Sequence, residues 1–140
     1  MKKVFVDTDI ILDLLVKREP FYPHAAEIFS LADSGKIKLF ITPVIVTNLH
    51  YILRKAGGKD KAIKSLLKFK LIVKILPVDE KIVELALASE FSDFEDAIQY
   101  YAAKENGITC LLTRNKKHFK KADITIMSAD EYLDIFKNEV

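Results

Sequence analysis

The sequence predicts a three-layer α/β/α domain built on a central parallel sheet of four to five strands. Short β-branched runs alternate along the chain with longer stretches of helical apolar period, the pattern of parallel strands joined by helices. Polar, chemistry-bearing residues follow directly after the strands, where open parallel sheets place their ligands. At 140 residues, with 50% hydrophobic and 30% charged side chains, residues 1–140 read as a single domain, and disordered and fibrous classes are excluded.

Val4–Val6 reads as a buried strand ending in Asp7-Thr8-Asp9, after which Ile10, Ile11, Leu14 and Leu15 repeat at helical spacing. Asp9 is read as the cap of that helix and Glu19-Pro20 as its stop, because the residue before a proline avoids the helical conformation. A second helix is expected from Tyr22 to Ala32, closed by Ser34-Gly35. Ile37–Ile41 is the second strand, and Thr42-Pro43 opens a helix whose apolar face is Ile45, Leu49, Ile52, Leu53 and Ala56, ending at Gly57-Gly58.

Lys59–Lys68 reads as a basic helix with Ala62, Ile63, Leu66 and Leu67 inward, followed by a strand over Leu71–Val78 and a helix over Asp79–Glu90 capped by Asp79. Ser92 or Asp93 caps the next helix, which is expected to bury Phe94, Ala97, Ile98, Tyr101 and Ala102 and to end at Asn106-Gly107. Ile108–Leu112 and Ile124–Met127 are the last strands, and Ala129–Phe136 the last helix.

Several classes drop out at once. The single cysteine, Cys110, excludes an internal disulfide and a multi-thiolate metal site and reads as a small buried hydrophobe. No window approaches the ~18 consecutive apolar residues of a membrane span, and MKKVFVDTD lacks the apolar core of a signal peptide, so a cytoplasmic protein without membrane attachment is expected. His24, His50 and His118 show no ligand spacing and are read as surface or structural. No nucleophile elbow, Gly-rich phosphate loop or Walker lysine is present.

The acids are placed differently. Asp7 follows the first strand directly, and Asp93 and Asp96 sit three apart in the first turn of the helix leading to the fourth strand, which Thr113, Arg114 and Asn115 follow. If the first and fourth strands are neighbours, these groups converge. Uncompensated carboxylates repel one another and are usually held for a cation; oxygen donors without His or Cys suit Mg²⁺ or Mn²⁺. Such an ion polarises phosphate and lowers the pKa of a bound water, so metal-assisted hydrolysis of a phosphate ester is the implied chemistry. Asp13 is read as solvated or as a supporting partner.

VFVDTDIILDLL at the start, DFEDAIQYYAA at residues 93–103 and LLTRNKKHF at residues 111–119 together resemble the three signature blocks of the PIN domain family. That family contains metal-dependent single-stranded ribonucleases, among them the toxins of toxin-antitoxin pairs. The resemblance implies that Asp7 and Asp96 bind the metal, that Thr113 orients ligands or the attacking water, and that Asn115 stands where many members carry a further acid. It also places Asn48 where many members carry a glutamate. Two of four expected acids are thus amides, which cannot deprotonate a metal-bound water, although Asp93 can restore one negative charge. An antitoxin partner and a homodimer are further implications, with an apolar groove along Leu12–Phe29 expected to take the partner's helix.

The net charge of +2 conceals a polarised chain: residues 54–74 and 114–121 together carry +12 and the remainder −10. A basic segment directly after Asn115 lies where a polyanion would approach, so Arg114, Lys116 and Lys117 are the expected contacts to an RNA backbone. Two other readings stand beside the ribonuclease: a PIN-fold module that binds RNA or protein without catalysis, suggested by Asn48 and Asn115, and a phosphatase with Asp7 as nucleophile and Asp9 as acid.

Overall fold

The structure is a computed structural model and describes residues 2–139. Five parallel strands form one sheet: β1 (Lys2–Val6), β2 (Ile37–Ile41), β3 (Val73–Ile75), β4 (Cys110–Leu112) and β5 (Thr125–Met127), in the order β3-β2-β1-β4-β5. The helices are α1 (Thr8–Leu15), α2 (Tyr22–Asp33), α3 (Pro43–Gly57), α4 (Lys59–Lys70), α5 (Glu80–Leu87), α6 (Phe94–Glu105) and α7 (Ala129–Glu139). They flank the sheet, with α1 and α7 against α2 and α5 against α6, so the predicted three-layer α/β/α architecture is present.

The central strands are buried because both faces are covered. Val4, Phe5 and Val6 of β1, Leu39 and Ile41 of β2, and Leu111 and Leu112 of β4 are almost wholly inaccessible and join one core with Ile10, Ile11, Ile28, Ile45 and Leu49 from the helices. Phe5 lies opposite Phe40 of β2 and Leu111 of β4, and Val6 opposite Leu112. The chain runs from β1 outward through β2 to β3, then restarts on the other side of β1 with β4 and β5. Strand order therefore reverses between β1 and β4, and their carboxyl ends flank the crevice in which such folds bind ligands.

Helix entries follow from local chemistry. Thr42 is fully buried and its hydroxyl accepts from the Ile45 amide ahead of Pro43, Asp79 accepts from the Ile82 amide, and Asp93 accepts from the Asp96 amide. Gly107, at φ +71°, supplies the left-handed turn after α6 that brings Ile108 into the core. Beyond the expected elements, Lys116–Phe119 forms a 3-10 turn that buries Phe119.

Several expectations are corrected. Asp7, not Asp9, caps α1, since its carboxylate accepts from the Thr8 amide. That helix stops at Leu15, well before Pro20, because Lys17 turns left-handed at φ +50° and the Arg18 amide folds back to the Asp13 carbonyl. Ala56 is exposed, and so are Ile63 (42%) and Leu67 (62%), because α4 packs mainly on α3 and turns Ala62, Leu66 and Phe69 inward. In α6 Phe94 is half exposed and Tyr100, stacked on Phe91, is the buried aromatic.

The strand expected over Leu71–Val78 shrinks to three residues, with Leu71 left 85% exposed. Cys110 is half-buried, and burial raises its thiol to about 11. The groove expected along Leu12–Phe29 is narrowed: Leu12, Ile28 and Phe29 are core, Val16 and Phe21 are left exposed, and Phe21, His24 and Ala25 line a cavity of about 270 Å³ beside Ile10 and Arg114. Among the described residues, no helix is long and apolar enough to cross a membrane.

Leu111 sits fully buried on β4, whereas Leu71 touches almost nothing. Leu111→Ala is expected to cost about 2–5 kcal/mol in urea unfolding, and Leu71→Ala to stay within about 0.5 kcal/mol of the parent. The reverse order would show that β4 is not the centre of the core.

Candidate active site

The carboxyl ends of β1 and β4 open into a cleft of about 500 Å³ whose lining includes Asp7, Asp9, Asn48, Asp93, Glu95, Asp96, Asn115 and His118. Parallel pairing of the two strands brings Asp7 and Thr113 side by side: the Asp7 amide donates to the Leu112 carbonyl at 2.9 Å. Thr113 is fully buried, and its hydroxyl donates to Asp7 Oδ2 at 2.7 Å while accepting from the Asn115 amide at 3.0 Å. Thr113 thus fixes one oxygen of Asp7, and the first amide of α1 fixes the other at 2.7 Å.

Asp9 lies one residue into α1 and turns toward the segment after β4. Its Oδ2 accepts from the Arg114 amide at 3.1 Å and from Asn115 Nδ2 at 3.0 Å, while its Oδ1 is buried with no donor. Across the cleft Asp93 caps α6 and so sets the first turn on which Glu95 and Asp96 stand. Asn48, from α3, donates through Nδ2 to Glu95 Oε2 at 3.0 Å. His118 Nδ1 is 3.4 Å from Asp96 Oδ2.

Thus Asp7, Asn48, Asp93, Asp96 and Asn115 all line one cleft, with Thr113 buried behind Asp7. Asp9, Glu95 and His118 join them; Asp9 and His118 carry other roles in the sequence reading, and Glu95 carries none. The D-x-D spacing of Asp7 and Asp9 was the available signal for the second acid. For Glu95 and His118 no signal existed, because their approach to α3 and to Asp96 depends on helix packing. The two amides therefore do not leave the cleft short of acid, since each donates to a neighbouring carboxylate.

The expected polyanion contacts divide. Arg114 directs both guanidinium arms to the buried Asp13, through Nε at 2.9 Å and Nη2 at 3.0 Å, so Asp13 is not solvated. Lys116 pairs with Glu131 at 2.8 Å, which contributes to holding that carboxyl down at about 2, while Lys117 has no ion pair among the described residues.

The electrostatics of the cleft are those of acids confined together. Burial, above all other causes, raises the Asp7 carboxyl above the usual carboxylate range. Burial and the neighbouring Asp7 push Asp9 up to about 6 and Asp96 up to about 7. A cation would relieve this repulsion, and the chemistry of the donors, all carboxylate oxygens with one buried and unpartnered at Asp9, fits a hard ion. Among the described residues no three acidic, His or Cys side chains form a closed metal-binding set, so such an ion would lean on one or two carboxylates and complete its shell from water or substrate.

An acidic cleft at the switch point of a parallel sheet defines an α/β protein of the carboxylate-site kind. Residues 3–117 match the PIN domain family, and the chain belongs to it. It is 28% identical over 138 residues to Ribonuclease VapC1 of Aquifex aeolicus (strain VF5), covering 95% of this chain and 94% of that one. Solved structures of the same fold include VapBC-1 from nontypeable Haemophilus influenzae (TM-score 0.68, 17% identity, 91% of this chain and 98% of that one). DNA-bound VapBC from Salmonella typhimurium is similar (TM-score 0.66, 18% identity, 91% and 98%), as is Mycobacterium tuberculosis VapC20, a sarcin-ricin loop cleaving toxin (TM-score 0.61, 17% identity, 77% and 86%).

The raised carboxyls make a signed prediction for the metal-free protein. The folded form holds the Asp96 proton to about pH 7, whereas the unfolded chain releases it near 3.8. The associated stability is full below pH 3.8 and is lost as pH rises through about 7. In thermal unfolding with EDTA, the parent should lose Tm between pH 5 and 8 relative to Asp96→Asn, and Mn²⁺ at pH 8 should raise the parent more than the variant. Parallel pH curves would contradict the assigned environment of Asp96.

Proposed function

We propose that this PIN domain is a metal-dependent endoribonuclease that hydrolyses phosphodiester bonds of single-stranded RNA, and that it is the toxin of a toxin-antitoxin pair acting in the cytoplasm. The observation that carries the reading is the convergence of Asp7, Asp9, Asp93, Glu95 and Asp96 on one cleft at the strand switch point. Likeness to a ribonuclease supports the reaction, and likeness to VapBC structures supports the partner. The cleft's acids do not favour the non-catalytic module, because Asp9 and Glu95 stand beside the two amides. Nor do its lining residues include the lysine that an aspartyl phosphatase requires.

Asp7 and Asp96 would hold Mg²⁺ or Mn²⁺. Such an ion would supply charge neutralisation for the phosphate and activation of water near neutral pH. The protein's own groups prepare the cleft. Thr113 and the amide of Thr8 lock the Asp7 carboxylate, and Asn115 orients Asp9. Asp93 sets the turn that presents Asp96, whose outer oxygen faces His118 Nδ1, and Asn48 steers Glu95. Lys117, in the turn that follows Asn115, and the cleft-lining Arg18 would supply positive charge for the RNA backbone.

Purified, partner-free protein should cut single-stranded RNA with Mg²⁺ or Mn²⁺ and stop with EDTA. Asp7→Asn and Asp96→Asn should each lose more than the roughly 10–100-fold that outer partners of a metal ion cost. An intact, folded protein that binds RNA equally well with and without metal, and cuts none at any concentration of either ion, would replace this reading with the binding module.

A further inference from the structure

We infer that Asp13 and Arg114 are positioning residues, which hold the Thr113–Asn115 segment against α1 and thereby set the Asp9 carboxylate in the cleft. The inference rests on the reading of the cleft as a cation site. It gives Arg114 a task other than contacting RNA.

Asp13 stands one turn after Asp9 on α1, so the two carboxylates share a helix face. Asp13 is only 1% exposed, a position at which an unpaired charge is costly and a paired one needs close geometry. It has that geometry: Arg114 Nε and Nη2 donate to its two oxygens at 2.9 Å and 3.0 Å, the two-armed arrangement that a guanidinium makes and an ammonium cannot. The guanidinium also lies over the Phe21 ring, 3.9 Å from its centroid, which closes off one face of the fork.

The main chain of the same residue completes the device. The Arg114 amide donates to Asp9 Oδ2, and the next residue, Asn115, donates to that oxygen through its side chain. Arg114 is therefore tied to α1 twice, by its side chain at Asp13 and by its backbone at Asp9. Release of the first tie frees the second, and Asp9, whose other oxygen has no donor, loses its orientation. While the fork is engaged, the Arg114 charge is directed to Asp13 rather than to a phosphate.

The test compares Arg114→Lys, Asp13→Asn and the neutral pair Asp13→Asn/Arg114→Gln in the full chain, with circular dichroism confirming the fold in EDTA. Mn²⁺ affinity is read by electron paramagnetic resonance, and binding to single-stranded RNA is read in EDTA. Positioning predicts that Mn²⁺ affinity falls about 10–100-fold in each variant, lysine included, as for other outer partners of a metal ion. RNA affinity without metal should stay within about twofold for Arg114→Lys, which keeps the charge that phosphate contacts require.

Should a single variant fail to fold, the neutral pair, which leaves no unmatched buried charge, gives the Mn²⁺ reading. Folded variants that bind Mn²⁺ as tightly as the parent would overturn the inference and leave the cation site standing. A parent that binds no Mn²⁺ would overturn the cation site and the inference together.

Discussion

The parallel pairing of β1 with β4 is the constraint on which the rest of this protein depends. It sets Val6 opposite Leu112, so that the next residues out of the sheet, Asp7 and Thr113, meet across the switch point and share a hydrogen bond. The strands themselves are apolar and covered on both faces, and their burial is what fixes the register. A hydrophobic interaction therefore determines where two polar groups separated by more than a hundred positions in the chain come together. The sequence-local devices, the caps of α1 and α6, then aim further carboxylates at the same point.

The cleft so formed stores repulsion. Asp7, Asp9 and Asp96 lie partly or wholly buried in it and are raised in pKa, and the neighbouring donors are mostly neutral: a hydroxyl, two amides and helix-end N–H groups. Neutral donors orient carboxylates without cancelling their charge, so the site keeps its attraction for a cation. Two of the nearby cations are drawn to acids outside the cleft, Arg114 to the buried Asp13 and Lys116 to Glu131, while Arg18 stays in its lining. That segregation extends across the molecule, where the long basic run lies largely on the exposed face of α4 at the far edge of the sheet, away from the acids.

Much of this is legible in the sequence. The parallel sheet follows from the alternation of β-branched and helical runs, and the placement of Thr42, Asp79 and Asp93 as caps follows from their side chains preceding helical periods. Errors gather where a residue's neighbour comes from elsewhere in the chain. Ile63 and Leu67 have the spacing of a buried face, yet α4 packs mainly on α3 and leaves them at the surface. Asp13 reads from the sequence as either solvated or a supporting partner, and only the packing of Phe21 and Arg114 over it decides for the second.

By itself the sequence determines the α/β class, the order of its elements and the pairing of acids with strand ends, because strand period, helix period and capping are short-range properties of the chain. The tertiary structure alone decides which groups complete the cleft. Glu95 meets Asn48, Asn115 meets Asp9, His118 meets Asp96 and Arg114 leaves the cleft for Asp13, each across a span that no local pattern encodes. The reason is physical: side-chain partners over such distances are chosen by the packing of whole helices on the sheet, and only the packed core fixes their separations.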